Sequence, residues 1–223
     1  RHGGQILADQ LAIQGVRAAF TVPGESFLAA LDGLHDKGGI QTIICRQAGG
    51  AAMMADAWAK ATGGTGVCFV TRGPGLANAM AGLHIADQDS SPMVLFLGLP
   101  ASDTEDREAF QEVETKSLLG TFVKWVAVIR DTNRIPEYVS RAFHVARSGR
   151  PGPVVLGLPE DMLAAHAGVA DAKPVCLIDP EPAPAALDMV QATLADARQP
   201  MMIVGGPGWS AETRERVQDF ARR

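Results

Sequence analysis

Short runs of β-branched and apolar residues, each separated from the next by a helical pattern, are the feature that most restricts how this chain can fold. They recur at "AAFTV" (18–22), "IQTIIC" (40–45), "GVCFVT" (66–71), "PMVLFLG" (92–98), "FVKWVAVI" (122–129) and "PVVLGLP" (153–159). Most are too continuously apolar to leave one face in water, which predicts strands buried on both sides. Between them, "GGQILADQLAIQG" places Leu7 and Leu11 on one helical face and stops at Gly15. Similarly, "IPEYVSRAFHVARSG" has Pro136 early, Val139, Phe143 and Ala146 on one stripe, and Gly149 after it. Strand alternating with helix predicts an α/β fold, a doubly wound parallel sheet with helices on both faces.

The pattern changes after "LPEDM". Residues 1–163 form the expected first domain, and 164–184 are rich in Ala, Pro and Asp with little periodicity, as a linker would be. Residues 185–223 offer a helix, a strand at "PMMIVGG" (200–206) and a second helix. One strand and two helices cannot close a core, so this is expected to be the start of a truncated second α/β domain.

Charge limits the partners. A formal net charge of -5 gives no basic field for nucleic acid or an anionic membrane surface, which leaves a small molecule or another subunit. No apolar run approaches the roughly 18 residues of a membrane span, and the opening has no signal-peptide pattern. The chain opens at Arg1 without Met, so its encoded start is expected upstream. Cys45, Cys68 and Cys176 are widely spaced, with neither a disulfide framework nor a zinc pair, which points to a reducing cytosol. Cys45 and Cys68 read as small buried hydrophobes, and no metal ligands are assigned.

In an open parallel sheet, ligands sit beyond the carboxyl ends of the strands. Four stretches occupy such places: Pro23-Gly24-Glu25-Ser26, Arg46-Gln47-Ala48-Gly49-Gly50, the turn Arg72 to Asn78, and "LPASDTEDREAFQEVE". Gly73 and Gly75 before a helix invite a phosphate-loop reading, but Pro74 has no N–H to offer and no Walker-type Lys-Ser/Thr pair follows. The helix from Gly49 to Thr62 carries Ala51, Ala55 and Ala59 on one face, a methyl surface suited to sheet packing, another subunit or a cofactor wall. His84, His144 and His166 stand alone and read as surface or core. The acidic stretch Asp103 to Glu108 reads as a solvated loop, in which Gln111 could hydrogen-bond a polar group beneath.

Taken in order, "GVRAAFTVPGE", "RQAGGAAMMADAWAKATG", "GVCFVTRGPGLANAM", "AFQEVE" and "ARSGRPGPVVLGLPEDM" resemble the N-terminal pyrimidine-binding domain of thiamine-diphosphate enzymes of the acetolactate synthase group. The resemblance runs from about residue 3 to residue 163, and residues 185–223 resemble the opening of that family's central domain. It implies a longer enzyme acting on 2-oxo acids. A C-terminal domain would hold the diphosphate through Mg, and a homodimer or homotetramer would clasp each thiamine diphosphate between subunits. Carried over residue by residue, Val22, Pro23 and Gly24 match the loop beside the pyrimidine ring. Pro74 and Asn78 match the turn bordering the cofactor, and Gln111 matches the glutamine facing the active site.

One position departs from that pattern. The family's glutamate, which hydrogen-bonds a pyrimidine ring nitrogen and assists removal of the thiazolium proton, aligns with Ala48. An alanine has neither acceptor nor proton. Three explanations stand: a natural variant with an apolar contact, as in the glyoxylate carboligase branch; an engineered loss of the carboxylate; or a relative that no longer performs thiamine chemistry. Two further classes of reading accompany them, a non-catalytic binding or regulatory homologue and an unrelated nucleotide-binding α/β domain.

Overall fold

The computed structural model describes residues 1–178, 180–206 and 208–222. Positions 179, 207 and 223, which fall in the expected linker and final unit, lie outside the described residues. The elements run α1 (Gly3–Ile13), β1 (Ala18–Thr21), α2 (Leu28–Lys37), β2 (Gln41–Ile44), α3 (Ala48–Thr62), β3 (Gly66–Thr71), α4 (Arg72–Gln88) and β4 (Met93–Leu99). They continue as α5 (Thr115–Leu119), β5 (Trp125–Val128), α6 (Ile135–Arg147), β6 (Pro153–Pro159), α7 (Glu160–Ala164), α8 (Pro184–Asp196) and α9 (Ala211–Ala221).

Six parallel strands form one sheet in the order β2-β1-β3-β4-β6-β5. All six predicted runs within residues 1–163 carry a strand, and the α/β expectation holds. Burial on both faces explains the continuous apolar runs. Val67, Phe69, Val94, Phe96, Val154 and Leu156 enter one core beneath α1, α2 and α6. Their neighbours Cys68, Val70, Leu95, Leu97 and Val155 enter the other, shared with α3 and α4. Phe69 and Phe96 stack with ring centroids 4.8 Å apart, joining adjacent strands at the centre of the first core.

Three expectations are corrected. The segment "PMMIVGG" contains no strand among its described residues, and α8 and α9 bury no residue. A lone strand without a paired neighbour has no ladder to stabilise it. Secondly, residues 72–78, expected as a turn, are the first two turns of α4. Pro74 is tolerated there because N–H groups in a helix's first turn lack an intrahelical acceptor anyway. Thirdly, the methyl face of Ala51, Ala55 and Ala59, for which a second subunit was one of the expected neighbours, is already covered within this chain. Ala51 and Ala55 lie in one core with Phe20, Cys68 and Ala79, and Ala59 is buried one turn further along.

The stretch read as a linker begins by docking on the first domain. The Gln14 side chain accepts from Val175 N at 2.9 Å and donates to the Lys173 carbonyl at 3.1 Å, while Arg1 pairs with Asp171 at 2.9 Å. Ala167, Val169 and Val175 pack against the α1 side of the core. Irregular in repeat, this stretch nevertheless supplies apolar side chains at the places α1 leaves uncovered.

Candidate functional site

The strand order locates the crevice. From β1 the chain moves outward to β2 and then returns to place β3 on the other side of β1, so the topology reverses between β1 and β3. At such a reversal the connections leave in opposite directions and a cleft opens at the carboxyl ends of the strands. Because every strand is parallel, the turns carrying Val22, Pro23 and Gly24, Ala48, and Arg72 with Pro74 all stand at this edge.

Local contacts draw these turns together. A methyl group on Gly24 would lie 2.4 Å from the Thr71 Cβ, so the turn after β1 can rest on the end of β3 only as glycine. Beside it, the Ser26 and Thr71 hydroxyls are 2.8 Å apart. On the other flank, Gln47 caps α3 by accepting from Gly50 N at 2.9 Å. The next residue, Ala48, is 6% exposed at the start of that helix. Its neighbour Gly49 meets the Asn78 carbonyl of α4, while the space beside Gly50 is open. Pro23, Pro74 and Asn78 are exposed at the rim.

Gln111 joins through its backbone, its carbonyl accepting from Gly73 N at 2.9 Å. The loop that carries it is pinned from within, since the Glu112 carboxylate accepts from Asp106 N at 2.7 Å and Ala109 N at 2.8 Å. At its outer end Arg130 grips Glu105 with two N–H groups, and this hydrogen-bonded pairing holds the Glu105 carboxyl below its usual range. The acidic stretch is the solvated loop expected, with Asp103, Glu105, Asp106 and Glu108 exposed, and these bonds tie it down.

Arg72, which the sequence reading gave no role, is the buried charge of this edge at 7% exposure. Its two terminal nitrogens hold Glu25 at 2.9 Å and Glu160 at 3.1 Å, one carboxylate following β1 and the other following β6. The Phe110 ring centroid lies 5.7 Å from its guanidinium carbon. Arg72 also adopts φ +43°, a left-handed conformation that costs a non-glycine residue about 1–2 kcal/mol. No sequence signal separates such an arginine from an exposed one, because its partners lie 47 and 88 positions away.

The lone histidines stay apart from this edge: His84 is edge-on to Phe122, His166 is edge-on to His2, and His144 is exposed on α6. Cys68 is fully buried, and desolvation pushes its thiol well up, so it is an inert core residue. Among the described residues no group of three or more His, Cys, Asp or Glu could hold a metal ion, and no helix is long and apolar enough to cross a membrane.

A family model described as "Thiamine pyrophosphate enzyme, N-terminal TPP binding domain" matches residues 1–118. The chain is 35% identical over 222 residues, 98% of its length, to the acetolactate synthase isozyme 2 large subunit of Escherichia coli (strain K12), covering 40% of that protein. It is 40% identical over 161 residues, 72% of its length, to the isozyme 3 large subunit of the same strain, covering 28% of it. Against the mitochondrial acetolactate synthase catalytic subunit of Saccharomyces cerevisiae (strain ATCC 204508 / S288c), it is 34% identical over 163 residues, 73% of its length and 24% of that protein's. The chain thus spans at most two fifths of these relatives. These matches set aside an unrelated nucleotide-binding domain. The chain belongs to the thiamine pyrophosphate enzymes, as a fragment of the acetolactate synthase group built on the N-terminal TPP binding domain.

Proposed function

We propose that the full-length protein is a thiamine-diphosphate- and Mg-dependent enzyme acting on 2-oxo acids by decarboxylation, carboligation or both, and that this fragment supplies the pyrimidine side of its site. The observation that carries this reading is the meeting of four family motifs at one sheet edge, through Gly24 on Thr71, Gly49 on Asn78 and Gly73 on Gln111. In this reading residues 1–163 are the pyrimidine-binding domain, 164–184 the linker and 185–223 the beginning of a central domain. The fragment is inactive alone, because the metal and diphosphate site lies on another domain. The functional unit is a cytoplasmic homodimer or homotetramer.

The residues present fit the body of a neutral aminopyrimidine. Exposed Pro23 and Pro74 offer apolar surface, and the space beside Gly50 is open. They do not supply a carboxylate at residue 48, and Glu25 and Glu160, two carboxylates of this edge, are engaged by Arg72. When bound, the cofactor supplies stabilisation of the carbanion left by loss of a carboxyl group. This chain's contribution is then positional: Val22, Pro23 and Gly24 line the ring, Ala48 makes an apolar contact, Pro74 and Asn78 border it, and Gln111 donates or accepts toward the substrate side.

The missing carboxylate favours a second reading, a homologue that binds the cofactor without turning over. Titrating the full-length protein with thiamine diphosphate and Mg by calorimetry, then assaying pyruvate and glyoxylate consumption, separates the two. Saturable binding with turnover supports the enzyme. Binding without turnover of either acid supports the homologue, and absence of binding overturns both.

A further inference from the structure

Four of the five non-glycine residues with positive φ among the described residues gather at one place: Arg72, Asp106, Glu108 and Gln111, with Ser90 elsewhere. Backbone held in a sparsely populated region persists where its surroundings over-determine it. Here the surroundings are specific. The loop 105–112 is stapled internally by Glu112, so it behaves as one piece. It is fastened to the rest of the chain by Glu105 on Arg130 at its outer end. At its inner end the fastenings are Gly73 N on the Gln111 carbonyl and the Phe110 ring on Arg72.

Phe110 is 70% exposed, so burial does not fix its place. The guanidinium beneath it is engaged at both terminal nitrogens by Glu25 and Glu160, from two different strand ends. A planar cation with both terminal nitrogens engaged presents its face to a ring, which a lysine ammonium cannot do while serving two carboxylates.

We propose that Arg72 is a positioning residue which, through Phe110, latches the loop 105–112 onto the start of α4 and so fixes where Gln111 stands. The consequence for turnover rests on the reading of Gln111 as facing the substrate. The latch itself does not.

The test uses the full-length protein without cofactor, comparing Phe110→Ala, Phe110→Tyr and Arg72→Lys with the unaltered chain. Hydrogen exchange at the Gly73 amide and tryptic cleavage after exposed Arg107 report the latch. Phe110→Ala should speed both by about 2- to 30-fold, the range spanned by a cation–π contact, with the global unfolding midpoint unchanged. Phe110→Tyr should restore the slow rates, and Arg72→Lys should loosen the loop as Phe110→Ala does. Should Arg72→Lys fail to fold, the exposed Phe110 still decides the matter. Unchanged exchange and cleavage in Phe110→Ala, or a tyrosine variant as loose as alanine, would overturn the latch. In the loaded enzyme, kcat should fall with the dissociation constant of thiamine diphosphate unaltered; a loosened loop with unchanged kcat would overturn the positioning role. Failure of the parent reading would show separately, as no cofactor binding by the unaltered protein.

Discussion

Gly49 and Asn78 touch so closely that a methyl group on the glycine would sit 2.7 Å from the asparagine's carbonyl oxygen. One residue follows Ala48 at the start of α3, and the other belongs to the helix after β3. Their contact sets how closely α3 and α4 approach at this end of the sheet.

Adjacent glycines therefore respond oppositely to the same substitution. Gly49→Ala forces backbone movement against the Asn78 carbonyl and should destabilise the protein by about 1–3 kcal/mol, as overpacking does. Gly50→Ala meets open space and should be neutral or stabilising by up to about 1 kcal/mol through helix propensity. Urea denaturation of both variants checks this. Equal midpoints for the two would mean that α3 and α4 do not approach as described.

In the full-length protein, Ala48→Glu should accelerate deuterium exchange at the cofactor's thiazolium carbon by about 10² to 10⁴-fold, the usual contribution of a placed acid-base group. That corresponds to roughly 3–5 kcal/mol of barrier. Turnover follows the exchange rate if the carboxylate was lost from an otherwise unaltered site, and falls if the surroundings have adapted to an apolar contact, where a new buried charge lacks compensation. No gain in exchange with the cofactor bound would show that residue 48 does not occupy the glutamate position.

Burial of Cys68 makes a signed prediction about pH. Its thiol holds its proton in the folded chain well above the ordinary value of 9.0, while the unfolded chain releases it there. The folded state then binds more protons, so this residue makes stability fall as pH rises above about 9, by up to about 1.4 kcal/mol per pH unit. Below that range the two states hold the proton alike and the contribution vanishes. Denaturation between pH 8 and 10.5 should show a steeper loss in the unaltered protein than in Cys68→Ala. Parallel slopes would refute it.

The strap along α1 should matter to the first domain. Shortening the chain to residues 1–163 removes the hydrogen bonds to Gln14 and the Arg1–Asp171 pair, and uncovers the core beneath Ala167, Val169 and Val175. The two bonds to Gln14, the backbone bonds of Gly3 to Ala165 and of Ala167 to Arg1, each about 1 kcal/mol, and the lost apolar cover give an expected loss of roughly 4–6 kcal/mol. A chain ending at residue 178 should retain it. Matching thermal midpoints for the two lengths would mean that the segment is a free linker from its first residue.

The sequence by itself determined the sheet. Apolar runs such as "GVCFVT" and "PVVLGLP" match β3 and β6 residue for residue, because a strand buried on both faces leaves a mark in consecutive positions. It also determined which turns share an edge, since parallel strands all end on the same side. Tertiary structure decided what depends on partners far along the chain. Whether Ala51 and Ala55 face a subunit or their own core depended on where α4 came to rest. Whether "PMMIVGG" becomes a strand depended on a neighbour to pair with. Whether Arg72 lies in solvent or beneath Phe110 depended on Glu25 and Glu160, brought beside it from two other strand ends. Periodicity records a residue's exposure along its own element, and carries no record of which distant side chain will meet it.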